Sequence, residues 1–245
     1  MFLLSRRNFI AHSTVLASLT GAVSANEPAA KKWKIVVAGG HPGDPEYGCG
    51  GTISRYTDRG HDVTLLYLNR GEKGCPGRTA KVCSDLRVSE ARRACQVLNA
   101  QAGFADQIDG EAMVGSAAYD NFHRVLASES PNVVFTHWPI DNHRDHRAMS
   151  NLVYDAWLRM DKSFGLYYYE VSDGEDTVMF SPTDYVDISR TETRKRAACY
   201  AHASQSPERF YSLQSQITRM RGLESGYGQA EAFIRHTQSR GSLLP

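Results

Sequence analysis

The 245-residue chain has no Cys-x-x-Cys pair, no long apolar run, no internal repeat and no surplus of either charge. Each absence excludes something. Five cysteines without that spacing leave no structural zinc knuckle. Lys and Arg number 28 against 27 Asp and Glu, a formal charge of +1. Such a balance offers no basic surface to a nucleic acid or an anionic membrane. The apolar part of residues 1–25 is interrupted by His12, by Ser and Thr and by Gly21, which is too weak for a stable membrane span.

What is present begins with a leader. Arg6-Arg7 is followed by Phe9-Ile10, a short apolar stretch and Val23-Ser24-Ala25 before Asn26. That order of basic, apolar and small residues reads as an export signal over residues 1–25, of twin-arginine type, which places the mature protein in the periplasm. Its removal takes two arginines and no acids, so the charge goes from +1 to −1. Residues 26–33 read as a flexible lead-in, and residues 34–245 as one domain with room for a sizeable core.

Within that domain strands and helices alternate. Ile35 to Ala38, Asp62 to Leu68 and Pro131 to Trp138 are short apolar runs of the kind buried on both faces of a sheet. Helical patterns follow at 47–59, 84–98, 119–129, 147–160 and 191–202, with Ser84 as a possible cap. Leu166 to Val171 and Asp184 to Ile188 read as further extended segments. This pattern predicts an α/β, Rossmann-like single domain: a mostly parallel sheet with helices on both faces. The chain from 104 to 113 fits neither period. The region from Ser206 onward reads as polar and partly helical, with Gly226 to Phe233 at the mouth of a site. Cys75 and Cys83 flank a Pro/Gly-rich loop and can pair in an oxidising compartment.

Two strands end in loops rich in metal donors. One holds His41 and Asp44; the other holds Asp141, His143, Asp145 and His146. Loops at the carboxyl ends of neighbouring parallel strands share one crevice. Two histidines and a carboxylate with an open position suit Zn²⁺, with Fe²⁺ or another divalent ion as alternatives.

The motifs His41-Pro42-x-Asp44-x-Glu46 and His143-x-Asp145-His146 resemble those of the PIG-L/LmbE-like superfamily of zinc-dependent N-deacetylases. The likeness extends to Arg70-Gly71-Glu72-x-Gly74, Arg87-x-x-Glu90-Ala91 and Ala198-x-x-x-His202-x-Ser204-Gln205, and so spans residues 34–202. It implies His41, Asp44 and His146 as metal ligands, His143 as the group that polarises the amide carbonyl, and Asp145 as the holder of that imidazole. Arg87 matches an arginine near the substrate. One position departs: the resemblance implies an aspartate general base where this chain has Gly43. Asp141 is the first expected replacement and Glu46 the second; metal-bound hydroxide acting without a protein base, or a protein that binds without turnover, are the other readings. The function expected is removal of an N-acetyl group from a small amino sugar or glycoconjugate, with a homo-oligomer allowed. The alternatives are a hydrolase of a non-sugar amide and a non-catalytic carbohydrate binder using Trp138 and Tyr167 to Tyr169.

Overall fold

The computed structural model describes residues 31–171, 175–239 and 243–245; the expected export signal and the first part of the lead-in lie outside them. The elements run β1 (Lys34–Gly39), α1 (Asp44–Asp58), β2 (Asp62–Tyr67), α2 (Ala80–Leu98), β3 (Gln101–Phe104), α3 (Ser116–Glu129), β4 (Val133–His137) and α4 (Arg144–Arg159). They continue with β5 (Gly165–Tyr169), α5 (Glu175–Met179), β6 (Asp184–Asp187), α6 (Glu192–Tyr200), α7 (Pro207–Ser225) and β7 (Ala230–Arg235).

The strands form one sheet in the order β3-β2-β1-β4-β5-β7-β6. The first five pair in parallel, and β7 runs antiparallel to both β5 and β6. Alternation along β1 explains the layers. Ile35 and Val37 face a core shared with α1, α2 and α6, whereas Val36 and Ala38 face one shared with α3 and α4. A strand that must be apolar on both faces cannot alternate in polarity, which is why its sequence is an unbroken run. Gly51 in α1 has a packing reason: a Cβ there would sit 2.5 Å from the Ile188 side chain.

Sequence and structure differ in three places. The helix expected from Ser84 starts at Ala80, because Thr79 accepts a hydrogen bond from the Val82 N–H and caps it. β3 was not expected. Nor was β7: Ala230–Arg235 forms a strand, and none of Gly226 to Phe233 lines the site. Glu231 disguised that strand, since a charge in a central strand reads as a loop until its partner is found. That partner is Lys195 of α6, 2.6 Å away and equally buried.

Cys75 and Cys83 form a disulfide. It closes the loop between β2 and α2, a crosslink of the size that contributes about 2–3 kcal/mol in the chain-entropy account. Cys49, Cys95 and Cys199 are free and buried.

Candidate metal centre

The chain leaves β1 for β2 and β3 on one side and reaches β4 on the other. The carboxyl ends of β1 and β4 therefore flank the point where strand order reverses, where open α/β sheets bind ligands. A cleft of 870 Å³ opens there. His41, Gly43 and Asp44 line it from the β1 loop, Asp109 from the loop after β3, and His143 and His146 from the β4 loop. The first turns of α7 form another wall, through Arg209, Phe210 and Leu213.

Three donor atoms converge. His41 Nδ1 lies 3.3 Å from Asp44 Oδ2 and 3.3 Å from His146 Nε2, and His146 Nε2 lies 3.1 Å from Asp44 Oδ2. Ligands ~2.0–2.1 Å from a tetrahedral ion stand ~3.3 Å apart. The triangle thus has the size a zinc-like ion requires. Its charges agree. Burial favours the neutral form of His146, yet Asp44 and Asp141 outweigh it and lift its pKa to about 9. Burial likewise opposes ionisation of Asp44, and the positive His146 with its hydrogen bonds holds that carboxyl well below the usual range. In the metal-free protein protons hold together donors that a divalent cation would otherwise bind, and metal binding displaces such protons.

Both histidines of the triangle are aimed from behind. Asp141 Oδ2 lies 3.0 Å from His146 Nδ1, and Asp145 Oδ2 lies 3.2 Å from His41 Nε2. Carboxylates in these positions fix ring orientation and raise ligand basicity. Two expectations are corrected by this. Asp141 does not face the cleft as a base: it is buried, and its other oxygen accepts the His143 N–H at 2.7 Å. Asp145 does not hold the imidazole of His143. Its Oδ2 is occupied by His41, Asn69 Nδ2 and the Gly110 N–H. The second candidate base, Glu46, is fully buried and bound to Tyr67 and His202, each at 2.8 Å.

His143 is exposed on the cleft and serves as the N-cap of α4, its Nδ1 accepting the Asp145 N–H at 3.2 Å. That bond leaves the proton on Nε2 as a donor. Burial, and then the positive charge of His41 and His146, lower its pKa, so the ring is neutral.

Two residues of the site were missed from sequence. His137, the last residue of β4, stacks on His146 with ring centroids 3.8 Å apart. The Gly40 N–H donates to its Nε2 at 2.9 Å, so that lone pair is spent and the ring supports His146. Burial and the neighbouring His146 charge push its pKa down to about 4. Asp109 sits in the segment that fits no period. Its Oδ2 accepts the Lys73 N–H at 3.0 Å, and its Oδ1 lies 3.3 Å from His41 Nε2. No sequence signal marks it. Trp138 and Tyr167 to Tyr169 lie away from this cleft: Tyr167 and Tyr169 are core, and Trp138 packs on Tyr168 and Phe180.

Residues 36–157 match the family described as PIG-L: GlcNAc-PI de-N-acetylase. A diacetylchitobiose deacetylase of Thermococcus kodakarensis is 28% identical over 230 residues, covering 88% of this chain and 85% of that protein. Among solved structures, the N,N'-diacetylchitobiose deacetylase of Pyrococcus horikoshii superposes with a TM-score of 0.74 at 20% identity, over 86% of each chain. The 4-carboxy-2-hydroxymuconate hydratase of Pseudomonas putida KT2440 superposes with a TM-score of 0.77 at 20% identity, over 87% of this chain and all of that one.

Proposed function

The chain belongs to the PIG-L/LmbE-like family of de-N-acetylases, and from that premise we propose that it is a metal-dependent hydrolase removing an N-acetyl group from an amino-sugar substrate. The observation that carries this reading is the 3.1–3.3 Å triangle of His41, Asp44 and His146 at the floor of the cleft. Those three residues would hold the ion. When bound, a divalent ion there supplies Lewis acidity to an amide hydrolysis.

The remaining roles belong to the chain's own groups. His143 donates Nε2–H to the acetyl oxygen, a contact that strengthens as charge develops there. Asp141 and Asp145 orient His146 and His41. The proton acceptor is Asp109. His41 Nε2 lies 3.2 Å from Asp145 Oδ2 and 3.3 Å from Asp109 Oδ1, and Asp145 Oδ2 also accepts from Asn69 Nδ2 and the Gly110 N–H. Asp109 lines the cleft and has the less occupied carboxylate of the two. The likeness to the Thermococcus diacetylchitobiose deacetylase supports the substrate class.

Two substitutions separate the roles. Asp109→Asn lowers kcat by ~10²–10⁴-fold with metal content unchanged, the usual cost of a lost acid–base group. Asp141→Asn weakens metal affinity by ~10–100-fold and is rescued by excess metal. Acetate release and metal titration read both. An Asp109→Asn enzyme of normal rate removes Asp109 as the base.

Export by the twin-arginine route completes the proposal, and the Cys75–Cys83 disulfide supports it, because such bonds persist in oxidising compartments. Changing Arg6 and Arg7 to lysine is expected to leave the protein in the cytoplasm; cell fractionation showing unaltered export would end that part of the reading.

A further inference from the structure

Asp109 stands between β3 and α3, where no regular element holds it. Its Oδ1 lies beside His41, and its Oδ2 accepts the Lys73 N–H. Its own N–H donates to Glu72 Oε1 at 3.0 Å. Two consecutive residues of the loop between β2 and α2 therefore set where this side chain points.

That loop is a poor clamp by itself. It carries Gly71, Gly74 and Gly77, and residues 76–80 are exposed. Gly71 has a φ of +66°. A Cβ there would also sit 2.8 Å from Nε of Arg87, which is buried in the cleft wall and donates to the Pro42 carbonyl. Glycine is required at this turn, and glycine loses the most conformational freedom on ordering. Weak bonds close the turn: the Gly74 N–H donates to the Gly71 carbonyl at 3.0 Å, and Gln205 Nε2 to the Gly74 carbonyl at 3.1 Å. The covalent anchor is the Cys75–Cys83 disulfide. Cys75 follows Lys73 by two residues. Cys83 is fully buried in the first turn of α2, its sulfur 3.3 Å from the Gly71 carbonyl oxygen. The crosslink thus ties the end of the turn to a rigid helix beside its start.

We propose that this disulfide positions Asp109 and gates the reaction by its redox state. Oxidised, it holds Glu72 and Lys73 so that the carboxylate stays aimed at the cleft. Reduced, it frees the turn, the carboxylate drifts, and turnover slows. This rests on Asp109 as the proton acceptor of the proposed deacetylase. A phosphine can open the bond. It gives an electron pair to the disulfide and takes the oxygen of one water, becoming a phosphine oxide. The two protons of that water end on the Cys75 and Cys83 thiols. Cys49, Cys95 and Cys199 are already free and buried, so this is the one bond a reductant breaks. The enzyme is then fast in an oxidising compartment and slow in a reducing one.

The test compares oxidised protein with protein reduced by tris(2-carboxyethyl)phosphine; a double variant, Cys75→Ser with Cys83→Ser, repeats it without reductant. Amide hydrogen exchange at Lys73 reads the clamp whatever the activity. Its protection is expected to fall at least about tenfold on reduction. In acetate release, kcat is expected to fall ~10–10²-fold, the cost of misplacing a group by about 1 Å. KM and metal content stay unchanged. In Asp109→Asn enzyme reduction has no further effect on rate, because the side chain it aims is gone. Unchanged Lys73 exchange, unchanged kcat or the same fractional loss in Asp109→Asn overturns the proposal. So does a fall in metal content that accounts for the lost rate, since the crosslink then only steadies the fold. Acetate release indifferent to redox state leaves deacetylation standing without the gate. Lys73 exchange that responds to reduction, in a protein releasing no acetate in either state, sinks deacetylation and keeps the clamp on Asp109.

Discussion

Replacing His146 by alanine abolishes stoichiometric metal binding and lowers acetate release by at least ~10³-fold. Three contacts are lost together. The Nε2 donor disappears from a three-membered set, leaving His41 and Asp44. Asp141 loses the ring nitrogen bound to its Oδ2, and His137 loses its stacking partner. Removing an orienting carboxylate alone typically costs 10–100-fold in metal affinity, so deleting a ligand exceeds that range. The Lewis acidity lost with the ion is worth several kcal/mol of transition-state stabilisation. Metal content after dialysis and single-turnover acetate release measure the two effects, with circular dichroism confirming the fold. One retained equivalent of metal together with near-normal turnover would falsify the assignment of His146.

Glu231→Ala is the largest expected loss of stability, about 3–5 kcal/mol. Glu231 is 3% exposed and Lys195 1%. The carboxylate accepts from Lys195 Nζ at 2.6 Å, from the Gly51 N–H at 2.9 Å and from the Thr52 N–H at 2.7 Å. One side chain of β7 therefore joins α6 to the middle of α1. Its removal leaves a buried ammonium with no counter-charge, and desolvation makes that state expensive. A domain is stable by only about 5–15 kcal/mol in total, so about a fifth of the stability or more is at stake. Arg194→Ala is the contrast. Its bond to Asp58 is at the surface, where pairs contribute ~0–1 kcal/mol. Urea unfolding of both variants decides the matter: a Glu231→Ala midpoint as close to the wild type as that of Arg194→Ala would refute the claim that the buried pair matters.

Legibility in the sequence followed the physics of each element. β1, β2 and β4 show themselves because strands covered on both faces must be apolar throughout. The loops after β1 and β4 show themselves because donors cluster there beside proline and glycine. Direction is what a sequence lacks. Asp141 lies two residues from His143 and in the right crevice, but its oxygens turn back toward His146 and its own loop. His143 and Asp145 touch, but not through the expected groups: the Asp145 N–H serves His143, and the Asp145 carboxylate serves His41. Asp109 is placed by a backbone N–H from another loop, a contact that leaves no trace in composition or period. β7 needed knowledge of Lys195, 36 residues earlier.

The position of β7 has a consequence for how the chain is made. β6 pairs with β7 and lies at the end of the sheet, and β7 also fills the place between it and β5. Until the C-terminal residues leave the ribosome, β6 has no strand to join and the β5 edge stands open. The wait is about 40 residues, or a few seconds of synthesis. Over that interval an apolar strand edge is available to other chains, the kind of surface that invites association between nascent proteins. β7, the last strand among the described residues, thus closes the sheet, and a nascent chain stopped before it would be exposed to aggregation even with His41, Asp44 and His146 already made.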